Sequence, residues 1–333
     1  GSFDSKKPLQ TPTGSYFTPN PLSNKGKTML VYPGSGSAYI GMGAGMFQAF
    51  PPLYDFIKGR VNDISNAFFS ADVYPRSLFK LTEEERKERE LSLQTNALPM
   101  MAAGCTFSAV YTSVLQDYLG VKADSVMGCS MGETSAMWYS QGIWDAHHAD
   151  KKFLEAPLFR EQVGGEMKLL AKQWGLTPKE ARESWISSLI KLPEGIDGYT
   201  SLADWFYKEV EKKEDRVFLT FVHTNTEIII SGHSKDIEKV LKKANLTAVS
   251  MKISNVVHHD FCKDLMDQLL EMHDLKLETK PDKAYYSSLT GTPLKLDRKS
   301  LAKNAAEVCC EKVDWPFLLK KVTKDGHNIF IEL

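Results

Sequence analysis

The chain has 333 residues and a mass of 37.4 kDa, more than a single core of about 150 residues usually holds, so two units or one large core with an insertion are expected. Hydrophobic residues make up 42%, charged residues 25%, and 41 Lys plus Arg face 42 Asp plus Glu. That balance excludes disorder and leaves no excess cation for a nucleic-acid backbone. The five cysteines (Cys105, Cys129, Cys262, Cys309, Cys310) are odd in number and form no CxxC pair. Reduced thiols in a cytoplasmic setting are expected, with no metal site. No run of 18 apolar residues and no cationic-then-apolar leader occurs, so neither a membrane span nor secretion is expected.

Gly1 and Ser2 have the look of an expression scar. The stretch to Lys27, carrying Pro8, Pro12, Pro19 and Pro21, is read as a linker. The far end stops in the apolar run IFIEL (329–333), and both ends together suggest a domain of a larger polypeptide. Thr28 to Pro33 reads as a strand, followed by the Gly-rich loop PGSGSAYIGMGAG and an amphipathic helix from Met46 to Ile57. Thr82 and Glu85 form a capping box ahead of a charged helix, and a long apolar helix follows from about Leu98 to Leu119, closed by Gly120.

Asp124 to Glu133, DSVMGCSMGE, reads as a buried strand turning sharply into a second apolar helix that ends at Gly142. From about Arg160 to Ile253 the helices are more polar, opened by caps at Thr177 and Ser201. RVFLTFV, EIIISG, KDIEKVLKKA and TAVSMKI then give strand, strand, helix, strand. The expectation is a small inserted α+β subdomain over 160–253, between core segments 28–159 and 254–333. The core resumes with a helix over 260–273, a strand at AYYSSLTG, a helix near 301–309 and a last strand.

Gly128-Cys129-Ser130-Met131-Gly132 matches GxSxG, in which glycines allow a strained strand-to-helix turn that presents a serine hydroxyl. The bland alternative is an N-cap serine. At a helix N-terminus Ser130 would meet backbone N–H groups and the positive dipole end, a place to hold an oxyanion, with Met131 N–H as one donor. A nucleophilic serine needs a base, and His258, His259 and His327 lie in segments that return to the core. His327 with an intervening Asp would make a generic esterase triad. Spacing leaves these choices open.

The loop PGSGSAYIGMG, the elbow VMGCSMGETSAMWYSQGIW, EIIISGHSKDIEKVL and VVHHDFCKDL occur in the order seen in malonyl-CoA:acyl-carrier-protein transacylases. The chain resembles that family, the acyltransferase domains of fatty acid and polyketide synthases. YPGSGSAYIGMG, ADVYPRS and SMGE followed by MW resemble most the acyltransferase domain in the second subunit of microbial polyunsaturated fatty acid synthases. The resemblance implies an α/β fold, an α/β-hydrolase-like core with a ferredoxin-like insertion.

Carried over, Ser130 resembles the acylated nucleophile and His258 the base, with His259 in a slot usually small and Lys263 behind. The family orients its histidine through a carbonyl, and the matching position, counted back from Trp315, falls near Val308, where only a backbone carbonyl could serve. The oxyanion donors resemble the N–H groups of Met131 and Ser35, Ser35 replacing a usual Gln.

The arginine that clamps malonyl carboxylates falls near Leu158, and the nearest cation, Arg160, lies beyond Pro157, where a helix should break. An unclamped pocket lined by Met100, Met101, Met131 and Met137 suits an uncharged acyl chain better, with ordinary core filling as the other reading of those methionines. The resemblance thus implies an acyltransferase that takes an acyl group from a phosphopantetheine thioester, on acyl carrier protein or coenzyme A, with no bound cofactor. Other domains of the same synthase would be its partners. Hydrolytic release by the same Ser-His pair, or a catalytically degenerate docking domain, are the alternatives.

Overall fold

The computed structural model describes residues 7–21, 25–58, 70–75, 77–192, 196, 198–251 and 255–333. Gly1, Ser2 and Arg76 of the ADVYPRS stretch lie outside the described residues. In chain order the strands are β1 (Leu9–Gln10), β2 (Tyr16–Phe17), β3 (Lys27–Tyr32), β4 (Ser125–Gly128), β5 (Trp185–Lys191), β6 (Val217–Thr224), β7 (Glu227–His233), β8 (Ala248–Ser250), β9 (Ala284–Tyr285), β10 (Val313–Asp314) and β11 (His327–Glu332).

The fold is mixed α/β. Four parallel strands in the order β11-β3-β4-β9 form the central sheet. Side chains alternate across it, because successive residues of a strand point to opposite faces. Leu30, Tyr32 and Val126 pack with Met137 and Trp138 of the helix that follows β4. Met29, Val31 and Met127 pack on the other face with Leu318 and Val322 of the helix Trp315–Lys324. A sheet covered on both faces needs the near-continuous apolar strands TMLVY and SVM, and both faces here are buried.

The long apolar helix Ala97–Ser113 continues as a π turn, Val114–Tyr118. By length and composition it could cross a membrane, but 56% of it is buried in the fold, where Met100, Ala103, Phe107 and Val110 pack under the loop after β3.

The smaller unit is a five-stranded sheet in the order β10-β6-β7-β5-β8. One face is closed by Trp205 and Phe206 of the helix Leu202–Glu209 and by Ile237 and Val240 of the helix Ser234–Ala244. The structure departs from the sequence expectation in several places. The helix expected from Met46 to Ile57 is two, Ala44–Ala49 and Pro52–Lys58. Trp185–Lys191, expected as part of a helical stretch, is the strand β5 between β7 and β8. The presumed linker contains the β1–β2 hairpin. The boundary at residue 253 is crossed, because β10 from the later core segment pairs in parallel with β6.

Trp138 is fully buried and stacks on Tyr285 with ring centroids 4.9 Å apart. Replacing it leaves a void between the elbow helix and β9. Trp138→Ala is expected to destabilise the fold by about 3–5 kcal/mol, read as the shift in chemical denaturation midpoint.

Candidate active site

The carboxyl ends of β3 and β4 carry the loops that meet at the site, the usual place for ligands on an open parallel sheet. β4 ends at Gly128, and two residues later Ser130 takes a left-handed backbone (φ 53°), rare for a residue with a Cβ. The turn closes through Gly132 N–H to the Cys129 carbonyl (2.8 Å) and Glu133 N–H to the Ser130 carbonyl (2.9 Å). A Cβ on Gly128 would collide with the backbone of Gly132 and Glu133, and one on Gly132 with the carbonyl of Tyr32. The two glycines therefore let strand, turn and helix press together behind Ser130. The helix starts as a π turn, Gly132–Ala136.

Ser130 Oγ lies 2.6 Å from His258 Nε2. Nδ1 of the same ring is 2.9 Å from the carbonyl of Val308 and 3.2 Å from that of Glu311. A carbonyl can only accept, so Nδ1 carries the proton and Nε2 presents its lone pair to the serine hydroxyl. His258 N–H also donates to the Cys309 carbonyl at 2.7 Å. The helix Arg298–Cys310 leaves its last carbonyls without intrahelical partners, and His258 takes up two of them. Its backbone is left-handed too (φ 60°). Burial pushes the imidazole's pKa below its ordinary value, against the two carbonyl bonds that raise it.

The other two histidines sit elsewhere in function. His259 Nδ1 accepts from Phe261 N–H at 3.2 Å, capping the short helix Asp260–Leu265, and its ring lies 3.8 Å from that of Phe218. Burial pulls its pKa down to about 4. His327 is buried with Nδ1 on the Val322 carbonyl (3.0 Å) and Nε2 on Ser125 Oγ (2.8 Å). Both ring nitrogens are thus engaged away from Ser130, which removes the triad built on His327.

A cavity of about 370 Å³ opens beside Ser130 and His258. Its core wall is Gly34, Ser35, Cys129, Trp315 and Glu332; its opposite wall comes from the small sheet, including Ser187, Thr220, Phe221, Ile229 and Ser231. Ser35 thus sits on the lining, and Met131 begins the elbow helix. The Cys129 thiol is pushed up to about 12, first by burial and then by Glu133 and Glu332, so it stays protonated beside Ser130.

The expected substrate-side residues are not in this wall. The helix ahead of Arg160 ends at Glu155, and Arg160 lies exposed in the π turn Leu158–Gln162. Met100 is core, packed with Phe107 and Ala103, and Met137 is core against Trp138 and Tyr32. Met101 lines a separate apolar cavity of about 50 Å³ behind the elbow helix. For Met100 and Met137 the core-filling reading holds, because the apolar helix faces that carry them pack inward. Glu332, Thr220 and Ser231 escaped the sequence reading, since nothing in a strand's sequence says which face meets a cavity.

No protein-family profile and no curated protein matches the chain. Solved structures do. The acyltransferase domain from the second module of the salinomycin polyketide synthase superposes with a TM-score of 0.65 at 17% identity, over 97% of this chain and 66% of that one. A type II polyketide synthase malonyl-transacylase in complex with its acyl-carrier protein gives 0.65 at 20% identity, over 92% and 88%. Malonyl-CoA:acyl carrier protein transacylase from Helicobacter pylori gives 0.65 at 16%, over 93% and 88%. The chain has the fold of these acyltransferases. It spans about two thirds of the polyketide synthase structure and most of the two transacylase structures.

The fold holds the His258 imidazole buried, with Nδ1 on two carbonyls, so its titration is diagnostic. A buried ring whose charged form is disfavoured stays neutral to lower pH than a free imidazole. Nuclear magnetic resonance titration of His258 is expected to give a midpoint below 6.5, with its Nδ1–H retained throughout the neutral range. A midpoint at or above 6.5 would contradict this account.

Proposed function

We propose that the chain is an acyltransferase that takes an acyl group from a phosphopantetheine thioester onto Ser130 and passes it to a second thiol. The 2.6 Å contact between Ser130 Oγ and His258 Nε2, on a ring held by helix-end carbonyls, carries this reading. His258 takes the hydroxyl proton as Oγ attacks the thioester carbon. The N–H groups of Met131 and Ser35 face the resulting oxyanion. The C–S bond then breaks and the imidazolium returns the proton to the departing sulfur. The half-reaction runs in reverse with the acceptor thiol. The transient imidazolium sits against the negative end of the helix Arg298–Cys310, which does the work a carboxylate does in a triad. The fold shared with a transacylase captured on its carrier supports acyl carrier protein as the partner.

The acyl group is read as uncharged and fatty. Among the described residues that line the cavity none is Lys or Arg, whereas Glu332 is one of them. A malonyl carboxylate there would lose water without gaining a cation, a penalty of several kcal/mol, and about 1.4 kcal/mol is already tenfold in rate. The motif resemblance to the second subunit of polyunsaturated fatty acid synthases supports the same choice and is in keeping with the carrier domains of such a synthase as partners.

Two experiments bear on this. Ser130→Ala is expected to abolish the acyl adduct seen by intact mass after incubation with acyl thioester. His258→Ala should slow its formation about 10²- to 10⁴-fold, and His259→Ala only mildly. An unmodified wild-type serine with no turnover would point to a docking domain, and release as free acid in place of carrier transfer would point to a thioesterase. In competition, long-chain acyl thioesters should load Ser130 ahead of malonyl thioesters. Preferential malonylation, lost in Arg160→Ala, would overturn the uncharged-acyl reading.

A further inference from the structure

Glu133 follows the GxSxG turn and is fully buried among neutral donors. Asn304 Nδ2 donates to its Oε1 at 2.7 Å, and Ser288 N–H donates to Oε1 at 3.1 Å and Oε2 at 3.0 Å. The Asn304 amide is itself fixed, because Ser287 Oγ donates to its Oδ1 at 2.6 Å. Ser287 Oγ in turn accepts from Leu289 N–H at 3.2 Å. Burial pushes the carboxyl pKa up against the hydrogen bonds that lower it, and a buried polar group held by several fixed donors rigidifies the place where it sits.

Its place in the fold is informative. Glu133 is one helical turn from Ser130, whose carbonyl accepts from Glu133 N–H. Asn304 is four residues before Val308 on the helix Arg298–Cys310, so the two lie on one helical face. Val308 supplies the carbonyl that holds His258 Nδ1. One carboxyl group therefore ties the element that presents the serine to the element that aims the imidazole, across 171 residues of sequence.

We propose that Glu133 is a positioning residue which, through Asn304, fixes the helix Arg298–Cys310 against the elbow and so sets the distance between Ser130 and His258. This rests on the reading of Ser130 and His258 as nucleophile and base. A shift of about 1 Å between them is enough to cost a large factor in rate, since productive geometry is narrow. The effect would fall on the chemical step and leave binding of the carrier unchanged.

The test uses two readouts. The first is the ring resonances of His258 in ¹⁵N-histidine-labelled protein, assigned by their loss in His258→Ala. The second is the rate of Ser130 acylation by a long-chain acyl thioester on its carrier. Asn304→Ser shortens the link and Glu133→Gln keeps one carbonyl acceptor. Asn304→Ser should stay folded by circular dichroism, move the His258 Nδ1–H signal and slow acylation about tenfold or more at unchanged KM for the carrier. Glu133→Gln should lie between Glu133→Ala and wild type, and where Glu133→Ala fails to fold, Asn304→Ser and Glu133→Gln decide. A folded Asn304→Ser with the wild-type His258 signal overturns the proposal. If wild-type Ser130 takes no acyl group while the His258 signal still moves in Asn304→Ser, the catalytic reading fails and the strut stands.

Discussion

The left-handed backbone at Ser130 is the constraint on which the site depends. A serine holds that conformation only where its surroundings over-determine it. Here they are two glycines, Gly128 and Gly132, with no room for a Cβ against the backbone of the turn and of β3. The strand beneath is buried on both faces, so it cannot shift to relieve the turn. Packing of the central sheet is thus converted into the exposure of one hydroxyl at its carboxyl edge. The π turn at Gly132–Ala136 belongs to the same compromise, since the chain must leave a strained turn and enter a helix without lifting off Tyr32.

The second half of the site solves a different problem with the same material. A helix ending inside a protein has carbonyls to satisfy, and an imidazole needs its proton fixed on one nitrogen. His258 and the end of the helix Arg298–Cys310 meet both needs at once. Burial disfavours the charged ring, and the carbonyls at the helix end keep the proton on Nδ1. A carboxylate in that role would have raised the pKa of the resting ring; oriented carbonyls do so less. The neighbouring His259 shows the contrast, because its Nδ1 is spent on a backbone cap and its ring on Phe218.

Much of this was legible in the residues. The elbow, its strand and its helix follow from Gly128, Ser130 and Gly132 between apolar runs, and those runs are apolar because the sheet is covered on both sides. The candidate base could be narrowed to three histidines but not further, since the choice depends on which ring nitrogens are already occupied. That is tertiary information: His327 has Nδ1 on the nearby Val322 carbonyl, but its Nε2 is occupied by Ser125, 202 residues away in sequence. β5 was illegible for a related reason. WISSLIK has both faces largely covered, so the strict alternation that marks a half-exposed strand is absent, and a capped helix immediately before it suggests more helix. The methionines misled in the opposite direction, because a flexible apolar side chain has the same sequence signature in a core as in a pocket.

The division of labour between the two units follows from where these residues lie. Ser130, His258 and the helix that holds the ring all belong to the segments around the central sheet, whereas much of the cavity wall opposite them comes from β5, β6 and β7. That wall carries a buried chain of hydroxyls, with Ser187 Oγ 2.8 Å and Thr220 Oγ1 3.0 Å from Ser231 Oγ, flanked by Phe221 and Ile229. Because β10 pairs with β6 and leads directly into the helix carrying Leu318 and Val322, the wall is tied to the central sheet through the continuous chain and the packing of that helix. Ser187, Thr220, Phe221, Ile229 and Ser231 on β5–β7 shape the cavity without being partners in the Ser130–His258 contact. The groups that set the Ser130–His258 contact and those that form the opposite wall thus lie on different strands and helices, and among the described residues that line the cavity none is Lys or Arg.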